Sequence, residues 1–421
     1  MSASNSKAAG PLPLDGTAVV VGGSLAGLRA IQGLREGGFE GRLALVGEEL
    51  HYPYDRPPLS KQILAGDWAP ERAVLADHHK LHDLAVEEHL GRRATALDAE
   101  ARRVTVDDGT VLEADAVVLA TGARPRRLPG TEGESGVFVL RTLDDCEALR
   151  ARLAAAGLRA RVVVVGAGFI GSEVAATCVG LGCSVTVVEA LPTPLVPALG
   201  EQVGAALGSL HTKNGVDLHT GVGVETVDPG RDGATGRVEL SDGTVLEADV
   251  VVVGIGVVPN TEWLADSGLD VDNGVVCDTS LFAADGVVAA GDLARWVWPR
   301  HGSMESTRIE HWEVAAQMGE AAAASLLAGR RDAPAYDPVP YFWSDQYGLR
   351  IQMLGRPAPT DEVVIVDGSL DADDGKFVAV YGRQGRLTAA LAVSRPRQLM
   401  AFRPLLVAGA SFDEAVALHR D

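Results

Sequence analysis

The sequence predicts an α/β fold: two nucleotide-binding domains of one plan, then a small α+β domain at the C-terminal end. Three observations predict it. A strand, a glycine turn and a helix follow one another twice, around Gly22-Gly-Ser-Leu-Ala-Gly27 and Gly166-Ala-Gly-Phe-Ile-Gly171. The octapeptide Asp-Gly-Thr-Val-Leu-Glu-Ala-Asp also occurs twice, at 108–115 and 242–249. The glycine turns are 144 residues apart and the octapeptides 134, so the repetition is of a whole domain plan. From Pro334 the composition turns aromatic, with Tyr336, Tyr341, Phe342, Trp343 and Tyr347, which marks a third region.

Along the chain, residues 1–16 are small and polar with Gly and Pro and are expected to form a flexible tail. They lack the basic start and apolar centre of a secretion signal. A β-branched strand at Thr17–Val21, a helix at Leu28–Glu36 and a strand at Arg42–Val46 make the first βαβ unit. The second has strands at Arg161–Val165 and Ser184–Val188 around a helix at Ser172–Gly180. Each octapeptide places Asp-Gly in a hairpin turn that leads into a buried strand, at Ala116–Ala120 and at Val250–Val253. An Ala-rich helix is expected at Glu313–Leu327, a strand at Phe377–Tyr381 and a closing helix after Ser411. The expected domains are 17–126 with 256–333, 127–255, and 334–421.

A chain of 421 residues exceeds one hydrophobic core. Its 47% hydrophobic and 22% charged residues are those of a globular protein. A net charge of −20 argues against nucleic acid or an anionic membrane as the main partner. No apolar run is long enough to span a bilayer, so a cytoplasmic protein is expected. Cys146, Cys178, Cys183 and Cys277 form no C-x-x-C pair and have no zinc-finger spacing to histidines. They read as reduced, mostly buried thiols, and no metal site is expected.

The glycine turns carry the chemistry. In a Rossmann-like unit the first glycine makes the turn, the second clears space for a pyrophosphate, and the third lets helix and strand pack. Gly166, Gly168 and Gly171 fill all three places, with Phe169 and Ile170 between them. The first copy has Gly22 and Gly27 but Ser24 in the middle, followed by Leu25 and Ala26. That serine narrows the approach without closing it, and its hydroxyl can donate to a phosphate. An acid after the second strand binds ribose hydroxyls: Glu48, or Glu49, in the first copy and Glu189 in the second. Glu189 repels a 2′-phosphate, and Ala190-Leu-Pro-Thr-Pro194 supplies no Lys or Arg to hold one. NADH is therefore expected over NADPH. Gly254, Ile255 and Gly256, after the second hairpin, are assigned to the same nucleotide.

His51-Tyr-Pro-Tyr-Asp-Arg-Pro-Pro-Leu-Ser-Lys61, Ala120-Thr-Gly-Ala-Arg-Pro125, Gly291-Asp292 and Glu310-His-Trp312 occur in that order. With them the chain resembles the FAD-dependent, NADH-using ferredoxin reductases of oxygenase systems. These are of the putidaredoxin reductase and biphenyl dioxygenase reductase type, and are related to apoptosis-inducing factor. The resemblance implies a glutathione-reductase-like fold and FAD as the first ligand. It implies that Arg56 lies near the FAD pyrophosphate and that Lys61 lies beside the flavin, paired with Glu173. It places Ala120, Thr121, Gly122 and Arg141 in contact with FAD, and Gly291 and Asp292 at the ribityl chain. Glu310, His311 and Trp312 fall where the family has an aromatic near the isoalloxazine. Taken without the family, Lys61 and Glu173 read as a solvated surface pair, and Trp312 as a packed aromatic. Glu173 is expected in the first helical turn. Ser24 departs from the family, as does the absence of basic residues after Glu189.

The implied reaction is hydride transfer from NADH to flavin, then release of electrons singly to a [2Fe–2S] ferredoxin. That ferredoxin would serve a P450 monooxygenase or a ring-hydroxylating dioxygenase. Lys61 would favour negative charge on reduced flavin, with Glu173 holding it in place. A rubredoxin is the other acceptor considered. A dithiol reductase needs a Cys pair near the flavin, and no cysteine occurs between Gly27 and Cys146. From another class, an NADH-binding flavoprotein could act by changing partners. Arg295, Arg300, Arg308, Arg395 and Arg397 are either a docking patch or scattered solvated arginines. Monomer and homodimer both remain open.

Overall fold

The two β-branched runs at Thr17–Val21 and Arg161–Val165 each become a central strand of a parallel sheet, because their side chains need cover on both faces. The computed structural model describes residues 10–131, 133–134, 136–228, 236–300 and 305–418. The chain divides into two compact units. Residues up to Asp55, Ala73–Arg124 and Val258–Pro338 form one; Arg56–Arg72, Pro125–Val257 and the chain from Val339 form the other.

In the first unit a six-stranded sheet runs in the order Phe282–Ala284, Val287–Ala289, Ala116–Leu119, Thr17–Val21, Arg42–Gly47, Val86–Leu90. Thr17–Val21 pairs in parallel with both neighbours, Ala18 facing Leu43 on one side and Ala116 on the other. The first fingerprint helix, Leu25–Glu36, packs on helix Trp312–Ala328. Backbone meets backbone there: a Cβ on Gly319 would lie 2.3 Å from the Ala26 carbonyl oxygen. The first octapeptide forms its hairpin between Arg103–Val106 and Val111–Glu113.

In the second unit the parallel sheet runs Asp217–Thr220, Ser184–Glu189, Arg161–Val165, Val250–Val253, Val137–Phe138. The second octapeptide turns between Gly236–Leu240 and Val245–Ala248. A five-stranded antiparallel sheet follows, in the order Tyr341–Gln346, Leu349–Gly355, Arg386–Val393, Phe377–Arg383, Glu362–Gly368. One face buries Ile351, Phe377 and Tyr381 against Leu199, Val203 and Leu207 of helix Val196–Lys213. The other packs on Leu399, Leu406 and Phe412, one from each of three short helices, and on Phe402 between the first two.

Four expectations change. Residues 1–9 of the expected tail lie outside the described residues, but Leu12 is buried and its amide donates to the Leu326 carbonyl. An apolar side chain at 12 has a core to enter, so the stretch to Gly16 is not a free tail. Residues 56–72, expected in the first domain, leave it after Asp55 and pack in the second unit. The C-terminal region begins at Val339, since 334–338 fall in the first unit, and its sheet shares a core with helix Val196–Lys213. Both fingerprint helices begin three residues early, at Leu25 and Phe169. The third glycine lies inside the first helical turn: a Cβ on Gly27 or Gly171 would sit 2.0 Å from the carbonyl oxygen of Gly22 or Gly166. Glu173 consequently falls in the second turn.

Candidate functional site

In the first unit, three neighbouring parallel strands end side by side and release the residues that sequence reasoning grouped. Thr17–Val21 leads into Gly22, Ala116–Leu119 into Ala120, and Val287–Ala289 into Gly291. Gly22 has φ +125°, and a Cβ there would lie 2.0 Å from the Ala120 carbonyl oxygen, so the two loops touch through backbone. Gly291 has φ +73° and stands against Ala26 at the helix start. Asn260, which belongs to none of the glycine or family motifs, ties down the Ala120–Gly122 loop. Its amide Nδ2 donates to the Thr121 carbonyl (2.9 Å), its backbone N donates to the Gly122 carbonyl (3.0 Å), and its own carbonyl accepts from Thr121 Oγ1 (3.0 Å). Arg308 donates to the Asp292 carbonyl (3.1 Å) and to Glu310, and Trp312 Nε1 donates to Asp55 Oδ1 (2.5 Å). His311 is the N-cap of the helix that Trp312 opens.

Ser24 stands at the N-cap of the first fingerprint helix without a side-chain capping bond, and the first turn holds no acid. Helix amides pointing at a glycine turn, with no acid in their own first turn, fit a phosphate. The acid is less regular. Strand register puts Gly47 where Glu189 stands in the second copy. Glu48, one residue on, is exposed and ion-paired with Arg93, while Glu49 accepts from the Tyr54 hydroxyl.

The second unit repeats the plan more closely. Gly166 has φ +101°, and a Cβ on it would lie 2.5 Å from the Gly254 carbonyl oxygen. Gly168 is different: a Cβ there meets nothing nearer than that same oxygen at 3.9 Å. The strand Val250–Val253 thus brings Gly254 and Ile255 to the fingerprint turn, whereas Gly256 faces Arg126. Glu189 receives the Ala167 amide on Oε2 (2.8 Å) and the Leu191 amide on Oε1 (2.9 Å), which fixes its carboxylate beside the turn. Ile170, Leu191 and Ile255 are exposed apolar side chains. Open space over Gly168, an uncapped helix start and apolar flanks fit a dinucleotide.

Lys61 and Glu173 meet in this unit, 112 residues apart in sequence, with Nζ 2.7 Å from Oε2. They are not a solvated surface pair: their side chains are 11% and 7% exposed. Ser60 Oγ donates to the same oxygen (2.5 Å), and Ser344 Oγ (2.7 Å) and the Asp345 amide (3.2 Å) donate to Oε1. Ser60 lies in the motif that ends at Lys61, but no sequence signal pointed to Ser344 or Asp345. Arg56 donates to the backbone carbonyl of Arg141 (2.5 Å), whose amide donates to Asp145.

All four cysteines are free thiols. Cys146 donates to the Leu59 carbonyl and burial pushes it up to about 11. A hydrogen bond with Cys178 brings Cys183 down to about 7, and raises Cys178. Among the described residues no cluster could hold a metal ion, and no helix is long and apolar enough to cross a membrane. Four of the five arginines of the alternative docking patch, Arg295, Arg300, Arg308 and Arg395, are ion-paired with Asp272, Asp337, Glu310 and Asp367.

Residues 16–319 match the family model described as pyridine nucleotide-disulphide oxidoreductase, and residues 341–421 match the one described as reductase C-terminal. The chain is 38% identical to rhodocoxin reductase of Rhodococcus erythropolis, over 96% of this chain and 95% of that one. It is 40% identical to the ferredoxin–NAD(+) reductase component of the anthranilate 1,2-dioxygenase system of Burkholderia cepacia, over 94% and 95%. It is also similar to the crystal structure of the covalent putidaredoxin reductase–putidaredoxin complex, with TM-score 0.87, 33% identity and 94% of each chain covered.

Proposed function

The chain belongs to the ferredoxin–NAD(+) reductases of the pyridine nucleotide-disulphide oxidoreductase family, and from that premise we propose that it passes electrons from NADH through FAD to a [2Fe–2S] ferredoxin serving an oxygenase. The observation that carries the proposal is the duplicated cradle: two helix starts on glycine turns of one plan, neither with an acid in its first turn, each in its own parallel sheet. Bound FAD would supply hydride acceptance from NADH and the release of electrons one at a time.

This chain's residues supply binding and charge. Gly22–Gly27, Ala120–Gly122, Arg56, Arg141 and Gly291–Asp292 would hold FAD, with Glu48 or Glu49 on its ribose and Glu310–Trp312 nearby. Gly166–Gly171, Glu189 and Gly254–Gly256 would hold NADH. Lys61 would offer a fixed positive charge to the flavin, its ammonium kept in place by Glu173. The family name refers to disulphide chemistry, but this chain has no flavin-side Cys-x-x-Cys pair, and Cys178 and Cys183 lie on and after the second fingerprint helix. Electrons must leave to an external carrier. A cytoplasmic setting suits four free thiols.

The test is anaerobic reduction of the FAD-loaded protein by NADH, followed by an assay of cytochrome c reduction with and without a purified [2Fe–2S] ferredoxin. Flavin bleaching and cytochrome c reduction that depends on the ferredoxin are expected. Reduction only with a rubredoxin would replace the acceptor. Flavin bleaching with no transfer to either carrier would overturn the reductase reading in favour of a partner-switching flavoprotein.

A further inference from the structure

Glu173 has more partners than one lysine requires. It is buried on the second fingerprint helix, and a buried ion pair is stable only when the remaining lone pairs are also satisfied. Its two oxygens are divided between two segments. Oε2 takes Ser60 Oγ and Lys61 Nζ, while Oε1 takes Ser344 Oγ and the Asp345 amide. Ser344 accepts in turn from Gln346 Nε2 (3.1 Å), which leaves its hydroxyl proton for Glu173. Ser344 and Asp345 belong to strand Tyr341–Gln346, at the end where it turns through Tyr347 and Gly348.

The same turn grips the preceding helix residue. His211 Nδ1 bonds the Tyr347 hydroxyl (2.6 Å) and its Nε2 lies 3.2 Å from Ser172 Oγ. Ser172 and Ser344 have no exposed surface, and His211 has almost none. Two consecutive helix residues are thus held by one turn of the C-terminal sheet, 171 residues further along the chain in the case of Ser344.

We propose that Ser344, with the Asp345 amide, is a positioning residue: it locks the Glu173 carboxylate so that Lys61 presents its charge from one fixed place. The proposal rests on the reading of Lys61 as the charge offered to the flavin. Without the Ser344 hydroxyl, Oε1 keeps only the longer backbone bond, and the carboxylate can rotate and carry the ammonium with it. His211 and Tyr347 brace the helix against the turn but make no bond to Glu173, so theirs is a structural part.

The experiment uses the FAD-loaded enzyme and reads the flavin midpoint potential, the NADH dissociation constant and the rate of flavin reduction by NADH. In Ser344→Ala the potential moves negative and flavin reduction slows about ten-fold while NADH affinity stays within about two-fold. Ser344→Thr restores both. Tyr347→Phe lowers the melting temperature and leaves the potential unchanged. Should Ser344→Ala not fold, Gln346→Met, which frees the Ser344 hydroxyl to rotate, is read for the same negative shift. A wild-type potential and rate in these variants, alongside a slowed Lys61→Ala, overturns the positioning role and leaves the Lys61 reading intact. A Lys61→Ala variant with wild-type potential and rate overturns both.

Discussion

At Glu189 one carboxylate holds the fingerprint turn and sets the expected choice of nucleotide. Its oxygens take the amides of Ala167 and Leu191, so it is fixed as an acceptor beside the glycine turn. A ribose hydroxyl can donate to such a group, whereas a 2′-phosphate brings like charge to it. Glu189→Ala is expected to raise kcat/KM for NADPH relative to NADH by about ten-fold. Steady-state kinetics with both nucleotides measures this, and an unchanged ratio removes Glu189 from the choice. Glu189 was legible because it ends a valine strand at the regular offset from its glycines. The first copy was not so legible: Gly47 occupies the corresponding place, and Glu48 points to Arg93 at the surface. Lys61 and Glu173 came from a motif around Lys61, but their burial and the serines that complete the cluster follow from contacts more than a hundred residues apart.

Among the elements, the second fingerprint separates what a glycine does for the fold from what it does for a ligand. A Cβ on Gly171 would sit 2.0 Å from the Gly166 carbonyl oxygen, while one on Gly168 has open space. Gly171→Ala is therefore expected to lower stability by roughly 3 kcal/mol, through a backbone clash that the turn cannot relieve. Gly168→Ala is expected to keep the wild-type melting temperature and weaken NADH binding by about ten-fold or more, since the methyl enters the space assigned to the pyrophosphate. Thermal denaturation and NADH titration compare the two; equal losses of stability would sink the distinction. The strands Thr17–Val21 and Arg161–Val165 were readable to the residue, because β-branched runs between turns have one way to be buried. The helix starts were not, because the third glycine serves turn spacing in the sequence and helix packing in space.

For the whole molecule, the stability of the second unit should carry the mark of His211. Burial brings its imidazole down to about 4 from the ordinary 6.5, between the Ser172 and Tyr347 hydroxyls. Burial also raises the Tyr347 phenol, so it stays neutral. Between those two pH values the unfolded chain holds a proton that the folded one does not. The stability present above pH 6.5 is then lost as pH falls towards 4, by up to roughly 3 kcal/mol. His211→Gln should flatten that part of a melting-temperature profile; parallel profiles for the two proteins would rule the explanation out. By itself the sequence determined two βαβ nucleotide folds, their order, the absence of a flavin-side dithiol and the family, since each is written in local spacing or an ordered motif. Only the tertiary structure decided that Leu12 is buried, that residues 56–72 join the second unit, and that the C-terminal sheet shares a core with helix Val196–Lys213. It alone brought Ser60, Ser344 and Asp345 onto Glu173, because a buried carboxylate takes its donors from whatever the fold brings beside it, whatever their distance in sequence.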